Sequence, residues 1–168
     1  MISSMPDSLI HGTSGTWLDY ILRHQLAEIR TASVVDFGAG EGKNAHLIRE
    51  VLGTGCRIVA IEGFAPTVRM LEDSGLYDEV HGALIQEWCA RNAATCDLAL
   101  FGDVLEHLSP RAIHRVIRDC LPRFRELIIV VPLCHNQQDA VGGNRLEIHR
   151  SYLTPRVFRR YRPVEQHI

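Results

Sequence analysis

The sequence lacks a long apolar run. None of its 168 residues lies in a stretch that approaches the roughly 20 consecutive apolar residues needed by a membrane-spanning helix. The opening residues, MISSMPDSLIHGTSG, have neither the basic start nor the apolar core of a secretory signal, so we expect a cytoplasmic protein. Apolar residues make up 46% and charged residues 23%, which is typical of a folded protein, and the length suits one domain over residues 1–168.

The sequence also lacks the cysteine spacing of a disulfide framework or zinc site, and it lacks a strong positive charge. The five cysteines are odd in number and include no Cys-x-x-Cys pair, so neither a disulfide framework nor a cysteine zinc site is indicated, and we expect reduced thiols. A net charge of −2 disfavours nucleic acid as a partner. Six arginines nevertheless crowd the last stretch, where they either bind an anionic substrate or form a solvated face. They are Arg145, Arg150, Arg156, Arg159, Arg160 and Arg162.

The spacing of apolar residues alternates between two periods along the chain. Intervals of three and four residues predict helices over 17–30, 44–52, 66–75 and 109–121. Short β-branched runs predict strands over 33–37, 57–64, 78–82, 97–101 and 126–131. Strands that are apolar on both faces and alternate with helices form parallel sheets, so we predict an α/β fold, a doubly wound, mostly parallel sheet with helices on both faces. Beyond it we expect a short helix opened by Thr154 and Pro155, and a C-terminal strand over 160–168 that is short or incomplete.

Three glycines at alternate positions follow the first predicted strand, in the stretch DFGAGEG at 36–42. Glycines tolerate positive φ and let a ligand approach the backbone, so the stretch predicts a ligand-binding turn between strand and helix. The phosphate-loop pattern fails, because Phe37 stands where its first glycine belongs and Asn44 stands where its hydroxyl belongs. The dinucleotide pattern fails because Gly42 comes one residue early, which leaves a nicotinamide enzyme as the weaker alternative.

The same stretch closely resembles the acidic-x-Gly-x-Gly-x-Gly motif of the class I S-adenosylmethionine-dependent methyltransferases. Two later segments resemble this family as well: GDVLEHLSP at 102–110 is similar to its segment after the fourth strand, and GNRLEIHRSYLTP from Gly143 is similar to a segment of its small members. The resemblance implies a Rossmann-like methyltransferase fold that uses S-adenosylmethionine and releases S-adenosylhomocysteine.

Two carboxylates are the expected anchors of this cofactor. Asp36 ends the first strand, where an anion suits a cationic amine and sulfonium and would repel a phosphate. Glu62 ends the second strand, 20 residues past Gly42, where a carboxylate accepts hydrogen bonds from both ribose hydroxyls. The alternatives are that Asp36 caps the turn or pairs with Lys43, and that Glu62 is a surface carboxylate.

The resemblance also implies roles for backbone positions around these carboxylates. Gly38, Ala39 and Gly40 would line the methionine moiety, Glu62 and Gly63 would hold the ribose, and Ala83 and Leu84 would flank the adenine. At the position that corresponds to residues 82–84, many family members carry an acidic side chain that binds the adenine amine. This chain has Gly-Ala-Leu there and no acidic residue. The cofactor-binding set is Asp36, Gly38, Ala39, Gly40, Asn44, Glu62, Gly63, Ala83, Leu84 and Gly102.

The acceptor side of such a site needs a nucleophile held about 3 Å from the methyl carbon, with water excluded. A general base is useful when the acceptor is a hydroxyl, and histidine suits this role because its pKa lies near neutrality. His149 follows the fifth strand beside Arg150 and Ser151 and is the first candidate for a catalytic base. His107 is the second candidate.

Asp103, Glu106 and His107 have the spacing of one face of a helical turn, which suits a metal site. The segment also resembles the Glu-x-x-Glu-His segment of small-RNA 3′-terminal and ubiquinone-pathway O-methyltransferases, and His114 or His149 would complete the ligands of a divalent ion. The alternative is a capping box, with Asp103 at the N-cap and Glu106 at N3, which needs no metal. Because helix starts are far commoner than metal sites, we expect no metal.

The sequence therefore predicts a methyltransferase that acts at an oxygen or nitrogen atom of a small or exposed acceptor. Residues 1–16 are expected to be a flexible N-terminal segment or a lid. The alternative is a non-catalytic module or partner subunit that keeps the cofactor fold, and an NAD-dependent oxidoreductase ranks third.

Overall fold

The computed structural model describes residues 16–91, 94–133 and 137–161. Its helices are α1 (Thr16–Glu28), α2 (Lys43–Leu52), α3 (Ala65–Ser74), α4 (Ile85–Arg91), α5 (Pro110–Cys120) and α6 (Pro155–Phe158). Its strands are β1 (Ser33–Phe37), β2 (Arg57–Glu62), β3 (Glu79–Gly82), β4 (Cys96–Gly102) and β5 (Phe124–Val130). Short 3₁₀ turns lie at Leu105–His107, Arg145–Glu147 and Arg159–Tyr161.

The five strands form one parallel sheet in the order β3-β2-β1-β4-β5. The chain moves outward from β1 through β2 to β3, and then returns to the other side of β1 for β4 and β5. The order therefore reverses between β1 and β4, and ligands of such sheets bind at the carboxyl ends of the strands beside this reversal. Asp36 lies there, in register with Ala60 of β2 and Leu100 of β4.

Helices cover both faces of the sheet, because successive strand residues point to opposite sides. One face packs against α4 and α5 and buries Val35, Phe37, Val59, Ile61, Ala99 and Phe101. The other face packs against α1, α2 and α3 and buries Val34, Ile58, Ala60, Leu98 and Leu100. The prediction of a doubly wound parallel sheet is confirmed.

The structure departs from the predicted elements at two places. Helix α4 was not predicted, because it has only seven residues, although Ile85, Trp88 and Cys89 follow helical spacing. The start of the predicted C-terminal strand is instead part of the turn Arg159–Tyr161, and the rest of that strand lies outside the described residues. The predicted lid also lies outside them, except for Thr16, which begins α1.

Two compositional expectations concern the described parts of the chain. The cysteines found there, Cys56, Cys89, Cys96 and Cys120, are free and buried, as predicted, and Cys134 lies outside. In residues 16–91, 94–133 and 137–161, no helix is long and apolar enough to cross a membrane.

Candidate cofactor and acceptor site

The glycine turn bends over the end of β2. Gly38, Gly40 and Gly42 have φ angles of 72°, 52° and 87°, in the left-handed region that favours glycine. The Gly38 amide donates to the Ile61 carbonyl at 2.8 Å, which holds the turn against the neighbouring strand. A side chain on Gly40 would meet no atom nearer than 4.0 Å, so this side of the turn is open to a ligand.

Gly38 and Gly40 differ in their surroundings, which allows a matched test of the turn. A Cβ on Gly38 would overlap the stiff side chain of Val104, whereas a Cβ on Gly40 is strained only by its φ angle. We expect Gly38→Ala to lower the free energy of unfolding by about 2 kcal/mol and Gly40→Ala by about half of that. Urea unfolding measures both values, and equal losses would contradict the packing of Val104 on the turn.

Glu62 is buried at the end of β2 and binds the glycine turn directly. One carboxylate oxygen accepts a hydrogen bond from the Gly40 amide at 3.0 Å, and the other accepts one from the Phe64 amide at 2.7 Å. The alternative of a surface carboxylate is therefore wrong. A carboxylate oxygen can accept a second hydrogen bond, so both oxygens can still receive ligand hydroxyls.

Asp36 is completely buried beneath the turn. Its two carboxylate oxygens accept hydrogen bonds from Asn44 Nδ2 at 3.0 Å and from the Tyr77 hydroxyl at 2.7 Å. Burial raises the pKa of Asp36 to about 6, although both hydrogen bonds lower it. The alternative pairing with Lys43 is wrong, because Lys43 Nζ lies 2.7 Å from an Asp19 carboxylate oxygen.

The side chain of Asn44 connects this buried carboxylate to the end of β4. A Cβ on Gly102 would lie 2.6 Å from Asn44 Nδ2, so only glycine leaves room for the amide at this position. Tyr77, which holds the other oxygen of Asp36, was not identified from the sequence, because nothing in its local pattern marks a residue 41 positions away as its partner.

Two apolar side chains lie close to the backbone that follows Glu62. A Cβ on Gly63 would lie 2.8 Å from Leu146 Cδ1 and 3.0 Å from Leu84 Cδ2. The Ala83 amide donates to the Glu62 carbonyl at 2.9 Å and thereby holds the segment after β3 against β2. Leu146, from the loop after β5, was not identified from the sequence because it is 83 positions away from Gly63.

The two candidate histidines lie close together, between the turn after β4 and the loop after β5. The ring centroids of His107 and His149 are 4.9 Å apart, and Glu106 joins them in a group whose potential ligand atoms lie within 4.8 Å of one another. The Glu106 carbonyl accepts hydrogen bonds from the amides of Arg150 and Ser151 at 2.8 and 3.1 Å. These bonds dock the loop after β5 onto the turn after β4.

We call Glu106, His107 and His149 the histidine cluster. Burial shifts the pKa values of its first two members. It raises the pKa of Glu106 to about 8, so this carboxyl is mostly protonated at neutral pH. It lowers the pKa of His107, and the neighbouring His149 lowers it further. Glu147, which the sequence did not indicate, has a carboxylate oxygen 3.9 Å from His107 Nε2 and is held by Asn144 Nδ2 at 3.2 Å.

The predicted geometry of Asp103, Glu106 and His107 was wrong. Their segment forms a short 3₁₀ turn whose N-cap is Val104, without a side-chain cap, so there is no capping box. Asp103 lies before that turn with φ of 49° and is not in the group of close ligand atoms. His114 is not in it either, because its Nδ1 bonds the Tyr161 hydroxyl at 2.7 Å. In the described parts of the chain, Glu106, His107 and His149 are the side chains placed to hold a metal.

Comparison of the sequence with protein-family models and with curated proteins gave no match. Solved structures do match the fold. A SAM-dependent methyltransferase from Archaeoglobus fulgidus shares 15% identity at a TM-score of 0.65, with 85% of this chain and 64% of the other covered. The plantazolicin methyltransferase BpumL in complex with SAH shares 15% identity at 0.60, with 84% and 58% covered. The mitomycin 7-O-methyltransferase MmcR shares 16% identity at 0.53, with 79% and 43% covered.

These likenesses define the fold of the chain. It is the α/β Rossmann-like fold of the class I S-adenosylmethionine-dependent methyltransferases. The chain spans 64% of the length of the archaeal protein and 58% of the length of the plantazolicin enzyme.

Proposed function

We propose that this protein is an S-adenosylmethionine-dependent methyltransferase that methylates an oxygen or nitrogen atom of a small or exposed acceptor. The observation that carries this proposal is the Glu62 carboxylate bound to the open glycine turn, at the point where the strand order reverses. The turn after β4 and the loop after β5 would supply the acceptor side of the site, with His107 and His149.

The residues of the cofactor half fit a cationic adenosine ligand. S-adenosylmethionine, when bound, supplies an electrophilic methyl group on a sulfonium. Glu62 would accept hydrogen bonds from the ribose hydroxyls, and the open side of Gly40 lets a ligand approach the backbone. Asp36 has no exposed surface, so it would act through its charge and through the amide of Asn44. Two carboxylates at this turn would oppose the pyrophosphate of a dinucleotide.

On the acceptor side, His149 would take the proton that a hydroxyl acceptor loses during transfer. His107 is the second candidate for this base, since its lowered pKa keeps the imidazole neutral at pH 7. Glu106, mostly protonated at that pH, adds no full negative charge beside the acceptor. Val104 and Leu146 pack on the backbone at Gly38 and Gly63 and would help to keep water out.

Removing the proposed base should separate catalysis from cofactor binding. We expect His149→Ala to lower kcat by about 100-fold with little change in cofactor affinity, because a positioned base contributes at least that much. His46→Ala is a matched control, since His46 is exposed on α2 and lies outside the histidine cluster. A kcat equal to that of the wild type would remove His149 from the mechanism and leave His107 as the candidate.

The cofactor assignment is tested by calorimetric titration with S-adenosylmethionine, S-adenosylhomocysteine and NAD. We expect micromolar binding of the two sulfur compounds and none of NAD. Binding of NAD alone would overturn the proposal and favour an oxidoreductase. Methyl transfer is then followed with a labelled methyl donor across hydroxyl and amine acceptors, and cofactor binding without any labelled product would favour a non-catalytic module.

A further inference from the structure

A second concave surface lies away from the glycine turn, on the outer side of α5. It encloses about 360 Å³ and is lined by Arg111, His114, Arg115, Arg118, Arg160 and Tyr161. We call it the arginine groove. None of these residues belongs to the cofactor half or to the histidine cluster described above.

The helix itself explains why four of these side chains share one wall. Positions 111, 114, 115 and 118 follow the spacing i, i+3, i+4 and i+7, which places them on one face of α5. The opposite face buries Ile113, Val116, Ile117 and Cys120 against the sheet. The turn after α6 supplies the other wall, with Arg160 and Tyr161.

A side-chain hydrogen bond joins the two walls of the groove. His114 Nδ1 and the Tyr161 hydroxyl are 2.7 Å apart, and both residues are half-buried. Burial raises the pKa of Tyr161, while the positive charges of Arg160 and Arg118 lower it. The Arg160 guanidinium lies 5.8 Å from the centre of the Tyr161 ring.

The charge in the groove is largely unbalanced. Arg118 pairs with Asp119 at 3.0 Å. Arg111, Arg115 and Arg160 have no carboxylate within ion-pair distance anywhere in the described segments. By contrast, Arg23 pairs with Glu50 at 3.0 Å and Arg49 pairs with Asp78 at 2.9 Å. Because like charges held together repel one another, an anion in the groove would stabilise this arrangement.

We propose that the arginine groove binds the phosphate group of a phosphorylated small molecule. Guanidinium groups form paired hydrogen bonds with phosphate oxygens, and a concavity of about 360 Å³ falls in the range of small-molecule sites. S-adenosylmethionine is cationic and is not a ligand for this groove. The site is therefore additional to the proposed cofactor site and does not depend on it.

Calorimetric titration with ribose 5-phosphate, with ribose as the uncharged control, tests this site. We expect saturable binding at one site per chain, weakened about tenfold or more in the double variant Arg115→Gln/Arg118→Gln, since charged hydrogen bonds are lost. Arg69→Gln, at another exposed helical arginine, should change the affinity less than about twofold. Glu62→Gln should leave phosphate binding intact. The two proposals are therefore tested independently, and the loss of one does not imply the loss of the other.

Two further probes identify the source of the phosphate. Vesicles containing phosphatidic acid present the same phosphate monoester on a lipid, and their binding, lost in the double variant, would support the site and assign it to a headgroup. Binding of an oligonucleotide alone, with steep salt dependence, would overturn the proposal in favour of a nucleic-acid surface. Absence of saturable phosphate binding, or equal loss in Arg69→Gln, would also overturn it.

Discussion

Glu62→Gln should weaken the binding of S-adenosylhomocysteine by roughly 100-fold or more, because two charge-assisted hydrogen bonds, each worth about 1.5–3 kcal/mol, lose their anionic acceptor. The substitution also weakens the hydrogen bond from the Gly40 amide, which holds the glycine turn against the end of β2. Calorimetry measures the dissociation constants of the variant and the wild type.

A matched control shows whether the effect belongs to this position. Glu72 is exposed on α3, and Glu72→Gln should change the affinity less than about twofold. Circular dichroism and urea unfolding establish that Glu62→Gln is folded before its affinity is interpreted. A folded Glu62→Gln variant with wild-type affinity would show that Glu62 does not hold the ligand and would remove the main support for the proposed function.

Asp36→Asn should change the pH dependence of stability more than any other conservative substitution near the turn. The Asp36 carboxyl has a pKa near 3.8 in the unfolded chain and about 6 in the folded protein. Well below pH 3.8 it is protonated in both states, and its contribution to stability is fully present. That contribution is lost as the pH rises through 6, since the folded protein must then bury an ionised carboxylate. The shift of 2.2 pKa units corresponds to about 3 kcal/mol.

The measurement is the free energy of unfolding of wild type minus that of Asp36→Asn, by urea titration at pH 4 and pH 8. We expect this difference to fall by about 2 kcal/mol between the two values, because the unfolded carboxyl is already partly ionised at pH 4 and other buried carboxyls such as Glu106 are common to both proteins and largely cancel. Tyr77→Phe removes a hydrogen bond that lowers the pKa of Asp36. The pKa should therefore rise further, and the loss of stability between pH 4 and pH 8 should become larger. A difference that does not vary with pH would show that burial does not raise the pKa of Asp36 above its value in the unfolded chain.

Much of the fold was predictable because its signals are local. β1 was predicted with its observed bounds, since a β-branched run ends at a glycine turn that no strand can continue through. The N-cap of α5 was predicted from Ser109 followed by Pro110, and the Ser109 hydroxyl accepts from the Ala112 amide. Helix α4 was missed because seven residues carry too few apolar repeats to be distinguished from a loop.

The candidate site was predictable only where a local motif, or a regular spacing between strand ends, marks its residues. Glu62 was identified because strand ends beside a glycine turn fall at a fixed spacing in this type of fold. Tyr77, Glu147 and Leu146 were missed, since each contacts its partner only after separate loops meet at one edge of the sheet. Asp103 was placed on a helix because spacing alone does not reveal a positive φ angle.

By itself, the sequence determined the parallel α/β architecture, the glycine turn and the carboxylate at the end of β2, because apolar periodicity and glycine conformations act over a few residues. The tertiary structure decided which groups share an environment. It buried Asp36 beside Asn44 and Tyr77 and brought His107 and His149 together through the docking of two loops. It also placed the arginines of α5 in one groove with Arg160 of the turn after α6. Burial and the proximity of other charges set the pKa values of these groups. Both depend on contacts between segments that are distant in sequence, which no local pattern reveals.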